Sequence, residues 1–203
     1  MNMKEKEIMI NANDYKNNVI GLWDTYKRLA LKCKEDIKDT TNNLDYTEEG
    51  KQKRIQELIQ HLDLINRRQG QEVINYLTEG VEYLNRKLNT STDPKKLLDT
   101  VNLIKEISNA LSYDEILKLT EEFKENSIAI KSINSVIEDR TKHMPYPPVY
   151  QTIKKIELVK VHIEQAIEVM QPSIQDTFMG WKFKAQIVEV EMKDIPNNLN
   201  TLV

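Results

Sequence analysis

The chain has 203 residues and a net charge of −3, with 29 basic and 32 acidic side chains. It contains only 5 glycines and 6 prolines. Few turns and long helices are therefore expected, as in helical bundles and coiled coils rather than α/β enzymes. Because the charges balance along the chain, the composition excludes the basic excess that specific nucleic-acid binding usually needs.

The sequence predicts neither export nor membrane insertion. Residues 1–10 are charged and lack the apolar core of a secretory signal. No run approaches the ~20 apolar residues that a membrane span requires. Cys33 is the only cysteine, which excludes an intrachain disulfide and suits a reducing compartment. A soluble protein without a membrane partner is expected.

The first predicted helix is the clearest element. Its apolar residues recur in steps of three and four, close to a heptad seam, and Trp23 and Ala30 widen the stripe. The helix should end in the polar residues 40–43. The seam residues are Tyr15, Val19, Leu22, Tyr26, Leu29, Cys33 and Ile37.

A second long helix is predicted to begin after Thr47, whose hydroxyl suits an N-cap. A helix of roughly 40 residues spans about 60 Å. Gly70 and Gly80 each cost about 1 kcal/mol relative to alanine, which indicates close helix approach or a local bend. Residues 1–89 are therefore predicted to form a long antiparallel helical hairpin of coiled-coil-like character. The second seam comprises Ile55, Leu58, Leu62, Ile65, Gln69, Val73, Leu77, Val81, Leu84 and Leu88.

Residues 90–143 are predicted to form a second helical pair. Asp93 suits the N-cap of the third helix. Ser112 and Glu115 have the spacing of a capping box at the start of the fourth helix. The fourth helix is predicted to be continuous through Ile116, Leu119, Phe123, Ile130, Ile133 and Ile137.

The remaining residues are predicted to form a connector and a smaller helical region. Residues 144–149 contain three prolines and are expected to be an extended connector without helix. Residues 150–203 keep helical spacing over most of their length. Residues 182–193 fit a helix but also alternate well enough for a short β segment, and helix is favoured. Residues 196–203 are expected to be a frayed end.

The sequence contains no recognised catalytic or cofactor-binding motif. Its glycines stand alone rather than in a phosphate-binding loop, and His61, His143 and His162 lie far apart. Cys33 lies on the apolar seam, where a buried structural thiol is expected rather than a nucleophile. We therefore predict a protein that is not an enzyme, with no catalytic, cofactor-binding or metal-binding residues and no cofactor.

The junction between the first two helices reads Tyr-Thr-Glu-Glu-Gly-Lys-Gln-Lys-Arg-Ile-Gln-Glu-Leu over residues 46–58. It resembles a T-x-E-G-K-x-x-R-I-x-E-L junction in uncharacterised helical proteins of tailed phages, often encoded near head-morphogenesis genes. The resemblance is confined to these residues and transfers no functional residue. It implies a phage origin, and hence a location in the host cytoplasm or in the virion.

The leading functional hypothesis is a non-enzymatic helical module for protein–protein interaction. It would self-associate and act in virion assembly as a structural or scaffold component. The alternative is a phage-encoded inhibitor that binds and occludes a host defence or regulatory protein with an acidic face, although Lys118 and Lys124 interrupt that face. The predicted interface anchors are Ile20, Trp23, Ile59, Tyr83, Leu103 and Ile128. The acidic face would comprise Asp114, Glu115, Glu121, Glu122 and Glu125.

Overall fold

The computed structural model describes residues 10–88, 93–170 and 178–202. These residues are predominantly helical and contain no β-strand, which confirms the all-α prediction. Within the same ranges, no helix combines the length and apolar composition needed to cross a bilayer. In chain order the α-helices are α1 (Tyr15–Asn42), α2 (Glu48–Ile65), α3 (Gln71–Leu88), α4 (Pro94–Ile107), α5 (Tyr113–Leu119), α6 (Ser127–Asn134), α7 (Pro148–Val169) and α8 (Phe178–Met192).

The helix α1 and the α2–α3 segment form the predicted antiparallel hairpin. Near the connecting loop, Cys33 Sγ donates a hydrogen bond to Leu58 O over 3.2 Å. At the other end of α1, the Tyr15 hydroxyl lies 3.4 Å from Leu77 O. Tyr15, near the start of α1, contacts the later residue Leu77, whereas Cys33 contacts the earlier residue Leu58. The two segments therefore run in opposite directions.

The N-caps predicted from the sequence are confirmed. Thr47 Oγ1 accepts a backbone N–H over 3.1 Å, and the Asp93 carboxylate accepts one over 2.9 Å. Ser112 and Glu115 make both hydrogen bonds of the capping box. These side chains satisfy N–H groups that have no partner within the helix, which fixes where α2, α4 and α5 begin.

A π-helical turn, Asn66–Gly70, separates α2 from α3. The sequence predicts close helix approach or a local bend at Gly70, and a π-helical turn is a local irregularity of the helix. The Tyr26 hydroxyl donates to Asn66 Oδ1 over 3.1 Å. A methyl group added at Gly70 would lie 2.8 Å from Ile167 Cδ1 in α7. Gly70 thus marks both a backbone irregularity and a close approach between helices.

The chain divides into two compact units. One unit comprises Met1–Val81 with Lys155–Asn200, and the other comprises Glu82–Lys154 with Thr201–Val203. Residues of α7 and α8 therefore belong to the same unit as most of the hairpin, although they are far away in the sequence. The sequence analysis divides the chain into four consecutive segments, and that division stays a prediction.

The core of the first unit takes one apolar stripe from each helix. In α1, Trp23 and Ala30 are buried at the centre of the stripe, whereas the predicted seam residues Leu22 and Leu29 lie half-buried beside it. The stripe of α8 is completed by Ile195, which follows the helix. The other buried apolar residues of this core include Val19, Tyr26, Leu62, Val73, Leu77, Ile156, Val159, Ile163, Ala166, Trp181, Ala185, Val188 and Met192.

The second unit shows that the prediction of one continuous fourth helix is wrong. The Asn126 side chain accepts hydrogen bonds from the backbone N–H groups of Ile128 and Ala129, each over 3.0 Å, and so starts the separate helix α6. Thr120 donates its hydroxyl proton to Ile116 O over 2.7 Å at the end of α5. Residues 94–134 therefore form three helices rather than a pair. Their core consists of Ile104, Ile116, Phe123, Ala129, Ile130, Ile133, Ile137 and Met144.

Two expectations for the residues after 143 are corrected by the structure. The proline-rich connector ends at residue 147, because Pro148 is the first residue of α7. Proline is tolerated at that position, since the first helical turn needs no donor from it. Residues 182–192 belong to α8, so the alternative of a short β segment at 182–193 is wrong.

The chain after α8 packs against the start of α1, so the expectation of a frayed end is wrong over residues 196–200. Tyr15 N donates to Asn197 O over 2.9 Å, and Leu199 is fully buried. Lys16 Nζ also donates to Lys193 O over 2.6 Å. These contacts tie the C-terminal residues to the hairpin within the first unit.

Two buried phenols of α1 predict a loss of stability in alkali. Burial raises the pKa of Tyr15 and of Tyr26 well above the usual 10.0. Near pH 10 the unfolded chain therefore ionises while the folded chain does not, so their stabilisation is complete below that pH and declines above it. Urea unfolding from about pH 8 to pH 11 should show this decline, and the double variant Tyr15→Phe/Tyr26→Phe should show a shallower one. Equal slopes for the variant and the wild type would contradict the assignment.

Candidate interaction surface

The helices α7 and α8 form an antiparallel pair within the first unit. Lys184 Nζ donates to Gln165 Oε1 over 2.7 Å. A methyl group at Gly180 would lie 3.8 Å from Val169 Cγ1. Residue 184 of α8 contacts residue 165 of α7, and residue 180 lies beside residue 169, so the two helices run in opposite directions. Residues near 161 therefore lie level with residues near 188.

The helix α8 is apolar on two opposite faces. Its inner face is buried in the core through Trp181, Ala185 and Val188. On the opposite face, Phe183 and Val190 are 63% and 61% exposed. The apolar residues are thus spread around the helix rather than gathered on one side.

Exposed apolar residues lie on both helices of this pair. On α8 they follow the spacing of Phe183, half-buried Ile187 and Val190, which is a heptad-like stripe of steps four and three. On α7, Leu158 and Val161 are 43% and 44% exposed. The antiparallel register puts them level with the second half of α8. We call these five residues the outer surface.

Charged residues flank the α8 stripe along both of its edges. Lys184 and Glu191 lie along one edge, because residues seven apart are two helical turns apart. Lys182 and Glu189 lie along the other edge for the same reason. Glu189 Oε1 accepts from Lys27 Nζ over 2.7 Å. Burial opposes the charge on Lys27, but hydrogen bonds to Glu189 and Asp24 outweigh it and raise the Lys27 pKa.

The predicted interface anchors are not brought together on this surface. Trp23 is buried in the core, and Ile20, Ile59 and Tyr83 are half-buried. Among the predicted anchors only Leu103 in α4 and Ile128 in α6 are exposed. Trp23 therefore supports the fold and does not serve as an exposed anchor.

The sequence did contain a signal for the outer surface. Residues 182–193 alternate in polarity, which made a strand conceivable. A helix that is apolar on two opposite faces produces a similar alternation, because its two stripes interleave along the chain. The alternation alone therefore does not distinguish a strand from a helix with two apolar faces.

Two carboxylates of the acidic face in the alternative hypothesis are paired with lysines within the second unit. Glu121 pairs with Lys124 over 2.6 Å, and Glu122 pairs with Lys96 over 2.5 Å. Glu115 is engaged in the capping box, and its hydrogen bonds to Ser112 lower its pKa. A face with this many internal cations is a poor mimic of nucleic acid.

The other polar groups give little sign of chemistry. Cys33 is buried, and burial raises the pKa of its thiol. A groove of about 330 Å³ beside it is lined in part by Arg54 and Glu57, which pair with each other over 3.0 Å. Across the described ranges, no three His, Cys, Asp or Glu side chains are grouped so as to hold a metal ion.

No protein-family model, curated protein or solved structure matches this chain. The function is therefore argued from geometry and composition. Among the features described above, the outer surface of α7 and α8 departs most from what a helical core needs, because it leaves a second apolar face uncovered.

Proposed function

We propose that this chain is a non-enzymatic helical module for protein–protein interaction, encoded by a phage and acting in virion assembly as a structural or scaffold component. The observation that carries the proposal is the outer face of α8, where Phe183 and Val190 are more than half exposed. A helix that is apolar on both faces is normally covered on both. A protein partner is the cover that we propose.

The outer surface has the composition of an interface centre. It combines one aromatic side chain, Phe183, with four aliphatic ones and is flanked by charged residues. Interfaces commonly have an apolar centre with aromatic anchors and a polar rim. Because α7 and α8 are already helical, binding would require no ordering of their backbone.

The phage assignment is supported by the resemblance of residues 46–58 to helical phage proteins. These residues span the loop before α2 and the first part of that helix. The proposed location is accordingly the host cytoplasm or the virion. The proposed partners are proteins, including further copies of this chain.

The double variant Phe183→Glu/Val190→Glu tests the proposed surface. Charges on an apolar contact patch should reduce partner capture by about tenfold or more, because the anchor is lost and a charge is desolvated. The free energy of unfolding should change by about 0.5 kcal/mol or less, since both side chains are exposed. The measurement is affinity capture from phage-infected cells, quantified by mass spectrometry.

The matched control is Leu98→Glu in α4, where an apolar side chain is 59% exposed on the second unit. This control should capture as much partner as the wild type. Selective loss of virion proteins from the double variant supports the proposal. Equal capture by all three proteins contradicts it, and capture of a host enzyme whose activity then changes favours the inhibitor.

A further inference from the structure

We propose that the outer surface binds a second copy of the same chain, with the two α8 helices packed antiparallel across a two-fold axis. The inference rests on the proposed function and specifies the partner. It is carried by the arrangement of charge and apolar residues on α8.

The sequence of α8 is self-complementary when it is reversed. Lys182-Phe183-Lys184 stands before the middle of the helix and Glu189-Val190-Glu191 stands after it, at equal distances from the point between Gln186 and Ile187. Reversal exchanges basic for acidic residues and keeps Phe183 opposite Val190, whereas Ile187 comes to stand opposite Gln186. All four charged residues of α8 follow this rule.

An antiparallel second copy would place oppositely charged residues next to each other along both edges of the stripe. In an antiparallel pair related by a two-fold axis, each edge of one helix faces the same edge of the other. Lys184 would therefore meet Glu191 of the second copy, and Lys182 would meet Glu189 of the second copy. Phe183 would pack against Val190 of the second copy on both sides of the two-fold axis. A parallel copy would instead bring like charges together, so the pattern selects the antiparallel arrangement.

The charge order on α8 is unfavourable for an isolated helix. Lysines lie in its first half and glutamates in its second half, whereas the helix dipole favours the reverse order. An antiparallel neighbour offsets this, because it presents its acidic half to the basic half of α8. Along the Lys184 edge α7 is one such neighbour, and on the outer side the second copy would be another.

The contacts already made within the chain leave room for these pairs. Lys184 donates one hydrogen bond to Gln165, and an ammonium group carries three donors. Glu189 accepts from Lys27 through Oε1, and a carboxylate has two oxygens. The intramolecular bonds therefore hold both side chains at the edge of the stripe and do not exhaust their capacity.

A charge exchange between two variants tests the inference. Lys184→Glu and Glu191→Lys should each weaken self-association by about tenfold, because each turns two attractive pairs of the symmetric dimer into repulsive ones. An equimolar mixture of the two variants should restore association to within about threefold of the wild type, since every edge pair is again of opposite sign. Lys38→Glu, an exposed charge reversal on α1, is the control and should associate like the wild type.

The readout is light scattering coupled to size exclusion over a concentration series, with circular dichroism to show that each variant is folded. A wild-type dimer, weakened variants and a restored mixture support the inference. A wild-type chain that stays monomeric overturns it, as does a dimer indifferent to both variants or a mixture that fails to recover. If the monomer still captures virion proteins through Phe183, the proposed function stands and only the self-pairing fails.

Discussion

Replacing Gly80 with alanine is expected to destabilise the protein by about 3 kcal/mol, through overpacking of the hairpin. The added methyl group would lie 2.6 Å from Tyr15 Cε2 and closer still to the Cζ and Oη atoms of that ring. Tyr15 cannot move aside easily, because it is fully buried and stacked on Tyr76 with 5.4 Å between ring centroids. The measurement is the free energy of unfolding in urea.

Gly21 provides the matched control for this prediction. It lies in α1 of the same hairpin, and a methyl group there would meet no atom within 4 Å. Gly21→Ala should therefore stabilise the protein by about 1 kcal/mol, the ordinary gain in helix propensity. Equal effects of the two substitutions would contradict the steric explanation.

A second substitution at the contact makes the explanation sharper. Tyr15→Leu removes the phenol that the new methyl group would overlap. If the overlap is the cause, Gly80→Ala should cost much less in the Tyr15→Leu background than in the wild type. A double-mutant cycle measures this coupling directly. Additive costs would show that Gly80→Ala acts on the backbone instead.

Trp23→Ala is expected to cost about 4 kcal/mol of folding stability, which makes it the largest effect predicted for a single side chain. Trp23 is 1% exposed and lies 5.4 Å from the ring centroid of Tyr26. A surface groove of about 250 Å³ beside it, lined also by Ile20 and Met192, would deepen when the indole is removed. Thermal and urea unfolding both report the loss.

Trp23→Phe separates packing from hydrogen bonding at the same site. The indole Nε1 is buried and has no hydrogen-bond partner among the described residues. Phenylalanine removes that unpaired donor and keeps most of the ring, so its cost should be about 1 kcal/mol. If Trp23→Ala left stability intact and dissociated an oligomer instead, the residue would be an interface anchor after all.

The elements that depend on neighbouring residues were predictable. The N-caps at Thr47, Asp93 and Ser112 lie where the sequence placed them, because a cap is a contact between residues two or three apart. The antiparallel hairpin was also predictable, since two long apolar stripes joined by a short polar segment have few other ways to cover each other.

The errors arose where a local signal was outweighed or ignored. Apolar spacing joined Ile116 to Ile137 in one helix, but the Asn126 cap starts a new one. The three prolines of residues 144–149 predict a connector without helix, although Pro148 is compatible with the first turn of α7. In both cases a single residue, Asn126 or Pro148, decides where a helix begins. The average spacing of apolar residues does not reveal that boundary.

The sequence by itself determined the all-α class, the long hairpin and the caps at Thr47, Asp93 and Ser112, because these depend mainly on residues that are neighbours along the chain. Only the tertiary structure decided which face is covered. Trp23 is buried, Gly80 meets Tyr15, and α8 leaves Phe183 exposed. Each outcome depends on contacts between residues far apart in the chain, and helical periodicity shows which residues share a face but not what lies against it.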